Sequence, residues 1–296
     1  MIWIAIALFA TVLFGIGNVL DNHLAARHFK DPWTLVFFIT LLGAVFLPLV
    51  FLLDRPGLPP LRLLPWFILL AGTEVFYLYP YYKALQAEDT SVVASLFTLV
   101  KIFIPLLAFL IVGESLRITQ YLGFFVIVLC GGLLAADRKQ AFRLNRSFFL
   151  MALSSLLISL NAVLYKFIFN DVGWGTGFFW TVLFSIVIVL GFLAAPRLRS
   201  EIFRSAGRLR SQAGLVFLDA VCSFGGLTAA TYARSLVPVT MEQSIDSFQP
   251  FFVLLYALAL KRRFPRAFRE STDRRSLIRK FALFAVMVLG AVLVVS

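Results

Sequence analysis

Apolar residues run along this chain in long blocks, without the strict alternation of a strand or the one-sided stripe of a surface helix. The blocks cover 2–20, 33–53, 64–84, 90–112 and 119–136, then 147–169, 174–195, 213–236, 239–260 and 278–296. A helix that crosses the hydrocarbon core needs about 20 mostly apolar residues, so the pattern predicts an all-α membrane protein with ten transmembrane helices. The connectors between blocks are short and carry turn chemistry, as in Asp54-Arg55-Pro56-Gly57 and Gly173-Trp174-Gly175. None is long enough to bury a core of its own, which excludes an extramembrane catalytic domain. A single-span receptor is excluded by the number of blocks. An outer-membrane barrel is excluded by their length, because its strands alternate over about ten residues. The first block follows no basic segment and no small-residue cleavage site, so it reads as a span and not as a removable signal.

Composition agrees with the pattern. Of 296 residues, 61% are hydrophobic and only 14% charged, with a mean hydropathy of +0.93. The net charge of +12 comes from 27 Lys and Arg against 15 Asp and Glu. The basic residues gather at the ends of apolar blocks, where they anchor and orient a membrane protein; nucleic acid is not an expected partner. Cys130 and Cys222 both lie inside apolar blocks, which argues against a disulfide framework. One connector, 197–212, interleaves Leu198, Ile202, Phe203 and Leu209 with basic residues. That spacing fits a short helix in the membrane interface, or equally a solvated loop.

The ten spans divide five and five: a first repeat at 1–136, a polar connector at 137–146, and a second repeat at 147–296. Tyr82-Lys83-Ala84-Leu85 closes the third span as Thr231-Tyr232-Ala233-Arg234 closes the eighth, and Asn18-Val19-Leu20 is echoed by Asn161-Ala162-Val163-Leu164. Gly131 and Gly290 fall at similar places in the two closing helices. An odd number of spans in each half gives the halves opposite orientations. Inverted repeats of this kind characterise many transporters, with the substrate site near the midplane.

The segment Tyr82-x-Ala84-Leu85, then Ser91-x-x-Ala94, Gly113-Glu114-Ser115-Leu116 and Gly123 resembles the EamA repeat of the drug/metabolite transporter superfamily. The resemblance extends over essentially the whole chain and is clearest in 80–135. It implies a ten-span inner-membrane carrier of amino acids or other small metabolites. The chain departs from the family pattern at Lys101, where the family usually has proline. In the second half the proline is present as Pro250, but Arg263 stands at the acidic position.

Lys and Arg are distributed unevenly. With the N-terminus on side A, the connectors on the opposite side B hold 21 of the 27, and those on side A hold four. The positive-inside rule then makes side B cytoplasmic, the 261–280 connector included, and puts both termini outside. The family resemblance implies the reverse, with both termini inside. Labelling the 261–280 connector from each side decides between them.

Polar residues inside the spans carry the functional expectation, because a charge at the bilayer centre costs at least about 2.5 kcal/mol on insertion scales. Glu74, Lys101, Lys166, Asp219 and Asp246 qualify, with Glu242 nearer a span end. Glu242, Asp246 and Gln249 share one helical face. Glu242 and Asp246 are the proton-coupling candidates, since neighbouring carboxylates in a partly dry cavity favour proton uptake; the competing reading is that Asp246 simply pairs with a lysine. Ser91, Ser95, Thr98, Lys101 and Pro105 line one stripe, Thr11, Gly15, Asn18 and Asn22 a second, and Ser155, Ser159, Ala162 and Lys166 a third, with Asn161 beside it. Lys101 is about 15 Å from either surface by helix rise and needs a carboxylate partner or an anionic ligand group. Lys166 is close enough to its span end to snorkel. Glu74 with Tyr77 and Tyr81 offers a seat for an ammonium group. Asp219, Ser223 and Gly226 share a face in the eighth span, and Gly225-Gly226 is either a hinge or a close helix contact.

These residues predict a secondary transporter working by alternating access, a proton-coupled exporter or exchanger of an amino acid or related amine. Substrate-binding candidates are Asn18, Glu74, Tyr77, Tyr81, Thr98, Lys101, Asn161, Lys166, Asp219, Asp246 and Gln249. The alternatives are an organophosphate or other anionic-metabolite exchanger built on Lys101 and Lys166, a choline-like cation carrier built on Glu74, and a lipid flippase or membrane assembly factor. No enzyme motif, P-loop or metal-ligand spacing is present, His23 and His28 included. The expected partners are therefore a small-molecule substrate, a coupling ion and the bilayer, without a cofactor, in a monomer or homodimer.

Overall fold

The computed structural model describes residues 2–87, 93, 96–135, 146–249, 251–252, 255–256 and 274–295. Among these the chain is helical with no strand, and each of the ten predicted spans contains helix. Six helical segments are long and apolar enough to cross a membrane, and shorter apolar helices lie between them. This is an all-α, multi-span membrane architecture. In lipid no water satisfies free backbone groups, so each segment must close its own hydrogen bonds.

The first span is the continuous helix α1 (Ile2–Arg27). The second starts as α2 (Pro32–Gly43) with proline in its first turn, then tightens into a 3-10 stretch, Ala44–Leu49, around Pro48. The third span is broken in mid-membrane into α3 (Leu64–Phe76) and α4 (Leu78–Ala87). Pro80 explains the break: it has no N–H to give the Phe76 carbonyl, and its ring crowds that group. Helix α5 (Thr98–Val112) tolerates Pro105 and stops at Gly113, whose φ of 66° is left-handed. There the Glu114 N–H returns to the Ala108 carbonyl at 3.1 Å. The later helices are α6 (Ile118–Ala135), α7 (Arg146–Asp171), α8 (Trp174–Gly191), α9 (Pro196–Ser211), α10 (Ala213–Leu236), α11 (Val239–Asp246) and α12 (Arg274–Val295).

The most extensive helix packing joins α1 to α10, α6 to α12 and α5 to α7. Each pair takes one helix from residues before 137 and one from residues after 145, so the two parts of the chain interlock. Small residues make the closest approaches. A Cβ on Gly123 would stand 2.6 Å from the Gly290 carbonyl oxygen, which places α6 and α12 backbone against backbone. Gly226 meets the Phe14 ring of α1, where an added Cβ would be 2.8 Å from it, and Gly225 faces Leu13. The glycine pair is thus a close helix contact inside an unbroken α10.

Phe9, Phe109, Leu110, Leu129 and Phe149 remain exposed and form the lipid-facing surface. Helix α9 settles the 197–212 connector as helical. Ile202 and Ser205 are buried on its inner face, while Phe203, Arg199, Arg204 and Arg210 stay exposed, the arrangement of an interfacial helix. Ser91, Ser95, Pro250 and Arg263 lie outside the described residues, as does the polar connector up to 145.

Candidate functional site

The helices enclose a cavity of about 270 Å³, near the lower end of small-molecule sites, about 300–1,000 Å³. Its wall takes Asn18 and Asp21 from α1, Glu74, Tyr77 and Tyr81 from the broken third span, Lys101 from α5 and Asn161 from α7. Arg234 of α10, Gln243 and Asp246 of α11, and Gln249 belong to the polar lining as well. The Pro80 break lies beside Glu74 and Tyr77, so the interruption of the third span falls where its polar side chains meet the cavity.

Two cationic side chains reach this wall, and both are already paired. Lys101 is 6% exposed; its Nζ donates to Asp246 Oδ2 at 2.5 Å and to Gln243 Oε1 at 2.7 Å. An ammonium group has three donor hydrogens, and two are used among the described residues. Arg234, 5% exposed, donates through Nε to Glu242 Oε2 at 3.1 Å, and Gln243 Nε2 donates to the same carboxylate at 2.9 Å. The guanidinium also lies over the Tyr165 ring, 5.9 Å from its centroid.

Two carboxylates have no such partner. Glu74 accepts from Asn161 Nδ2 at 2.7 Å. Asp21 accepts from Tyr82 at 2.9 Å, and Tyr81 shares its one hydroxyl hydrogen between Asp21 Oδ2 at 3.1 Å and Asn18 Oδ1 at 3.0 Å. Neither has an ion pair among the described residues.

Of the sequence-predicted substrate residues, Asn18, Glu74, Tyr77, Tyr81, Lys101, Asn161, Asp246 and Gln249 share this cavity. Lys166 is elsewhere: near the side-A end of α7 it donates to the carbonyls of Arg234 at 3.2 Å and Val237 at 2.9 Å. Asp219 is fully buried behind Gly17, outside the lining. Thr98 falls in α5, but its side chain lies outside the described residues. Of the predicted proton pair, Glu242 is held by Arg234 and Asp246 by Lys101, so each carboxylate already has a cation.

Asp21 and Arg234 were missed as site residues because both lie near span ends, where charges read as interfacial. A usable sign was present for Asp21, since Asn18 and Asp21 are three apart and share a helix face. Glu114 of the Gly-Glu element also has a definite position. Its carboxylate accepts from the backbone N–H groups of Val239 at 2.8 Å and Thr240 at 2.9 Å, satisfying the free N–H groups at the start of α11.

A multi-span helical bundle around an internal cavity, mostly apolar with charged side chains in its wall, is an architecture suited to a small-molecule carrier. Residues 1–135, just under half of the chain, match the EamA-like transporter family. The resemblance read from Tyr82 to Gly123 is thereby borne out, and the match is consistent with the drug/metabolite transporter superfamily. A solved structure described only as "Crystal structure of protein" aligns with a TM-score of 0.67 at 15% identity, covering 98% of this chain and 94% of its own. At that identity the likeness shows the fold alone. No curated protein matches the chain.

Proposed function

We propose that the protein is a secondary carrier, exporting or exchanging an amino acid or related amine by alternating access of two inverted halves, 1–136 and 147–296. The reading places it in an inner membrane with side B in the cytoplasm. The observation that carries the substrate class is the charge balance of the cavity. Lys101 and Arg234 are each neutralised by a carboxylate, whereas Glu74 and Asp21 have no ion-pair partner among the described residues. An enclosed site with surplus negative charge favours a cationic group, and Tyr77 beside Glu74 adds an aromatic surface for it. The third hydrogen on Lys101 offers a substrate carboxylate one donor, which suits a zwitterion. The same balance speaks against an organophosphate, whose charge would add to the surplus.

The test is ligand-induced thermal stabilisation of the purified protein across amino acids, simple amines, a quaternary amine and organophosphates. A ligand that binds the folded state raises its apparent stability by about 2.7 kcal/mol at a hundredfold excess over its dissociation constant. Stabilisation by amines or amino acids is expected, lost in Glu74→Gln and, for amino acids only, weakened in Lys101→Ala. Stabilisation by a quaternary amine alone would move the reading to a choline-like cation, and stabilisation by organophosphates alone would overturn it. Liposome flux of the stabilising ligand, measured against labelled lipid, then separates a carrier from a flippase.

A further inference from the structure

We propose that Asp21 and Asp219 form the proton-binding site of this protein, in place of the Glu242–Asp246 stretch. The proposal rests on the carrier reading above for its purpose, but not for its chemistry. Asp219 is fully buried in α10, and neither carboxylate oxygen has a hydrogen-bond partner among the described residues. Its Oδ1 lies 3.8 Å from where a Cβ on Gly17 would stand, so the absence of a side chain at Gly17 leaves this carboxylate facing α1. Asp21 follows one turn later on α1 and lines the cavity. Ser223, one turn from Asp219, lines it as well.

An ionised carboxylate only accepts hydrogen bonds, and around Asp219 no donor reaches it. The protonated form carries a donor of its own. A buried charge left unpaired is far costlier than a neutral acid. The titratable groups facing the pair are Tyr77, Tyr81 and Tyr82 of the broken third span and Cys222 on α10 itself. None of these is cationic, and neither Asp21 nor Asp219 has an ion-pair partner among the described residues. Asp21 already takes phenol hydrogens from Tyr81 and Tyr82, which leaves Asp219 as the open acceptor. A proton needs only one carboxylate oxygen, whereas a metal cation needs a shell of oxygen ligands. No group of three acidic, histidine or cysteine ligands gathers among the described residues.

The step is simple. One O–H bond forms on a carboxylate oxygen, and on release it breaks with the proton returned to water; nothing is oxidised or reduced. Because Asp21 borders the same cavity as Glu74, a bound proton and a bound ammonium group draw on the same surplus of negative charge. Each therefore weakens the other, and by linkage the weakening is mutual. This is the relation that exchange of an outgoing amine for an incoming proton requires.

The experiment is infrared difference spectroscopy of the purified, reconstituted protein across pH, reading the carbonyl stretch of protonated carboxyl groups. It needs no substrate. In the unmutated protein the band is expected to disappear as pH rises, to shrink in Asp21→Asn and in Asp219→Asn, and to be lost in the double variant. Tyr82→Phe, which keeps both carboxylates, is expected to shift its pH midpoint and covers the case in which an Asp219 variant does not fold. An undiminished band in the double variant, an unmoved midpoint in Tyr82→Phe, or loss of the band in Glu242→Gln would each overturn the proposal. If the band behaves as expected while amine flux is absent, the carrier reading fails and the proton site stands.

Discussion

Arg234 and Glu242 are both nearly excluded from solvent and bound to each other. A buried pair of this kind costs desolvation on both sides, so its net worth is small, yet removing one partner strands the other. Glu242→Leu alone is expected to lower stability by about 3–5 kcal/mol, measured as thermal unfolding in detergent. Joined with Arg234→Met, most of that loss should return. Equal losses in the single and double variants would show that the pair matters for its shape and not its charge. Arg234 also marks what can be read from sequence at this scale. Hydropathy places a residue along the membrane normal but says nothing of which neighbour it faces. Lys101 needed a partner by depth alone, and Asp246 fills that need. Arg234 at a span end looked like an anchor, because its burial depends on α11 folding back over it.

Among the elements, the crossing of α6 and α12 depends on two glycines more than on any polar bond. Gly123→Ala puts a methyl group 2.6 Å from the Gly290 carbonyl oxygen, and backbone cannot swing aside as a flexible side chain can. The two helices must separate, at an expected cost of about 1–3 kcal/mol; an unchanged unfolding midpoint would mean that the helices slide freely past one another. Gly123 was visible in the sequence as part of the family-like segment, but its partner was not, and Gly290 had been matched with Gly131 by position alone. The helices themselves were legible, since apolar length leaves a membrane chain little choice. The breaks were less so: three prolines with the same chemistry end differently. Pro48 tightens the second span and Pro80 divides the third, while α5 runs on through Pro105.

Over the whole molecule, polar links join the part before 137 to the part after 145 toward both sides of the membrane. On side A, Asp54 accepts from the Gly175 N–H at 2.8 Å, Gly57 bonds to Thr176 and Trp180, Arg62 pairs with Asp171, and Glu114 closes the start of α11. Toward side B, Ser154 donates to the Tyr77 carbonyl and Tyr256 to the Val12 carbonyl, each at 3.0 Å, and Arg279 to the Leu133 carbonyl at 3.2 Å. On the proposed alternating-access reading one side releases while the other holds, and the side-A links are contacts that such a movement would part. The exposed Arg62–Asp171 pair contributes little by itself; the part-buried helix-start contacts of Asp54 and Glu114 are the less screened links. Gly57 and Thr176 offer a covalent test, since a Cβ on Gly57 would stand 3.6 Å from Thr176 Oγ1, the position that a cysteine sulfur at 176 would take. Gly57→Cys with Thr176→Cys, in a background where Cys130 and Cys222 are serine, is expected to stop flux on oxidation and restore it on reduction. A further cysteine at Ser223, on the cavity wall, should stay open to an impermeant thiol reagent from side B and closed from side A while the lock is on. Flux persisting through fully cross-linked protein would show that the side-A contacts do not move during transport, and alternating access by parting of the two halves would then have to be abandoned.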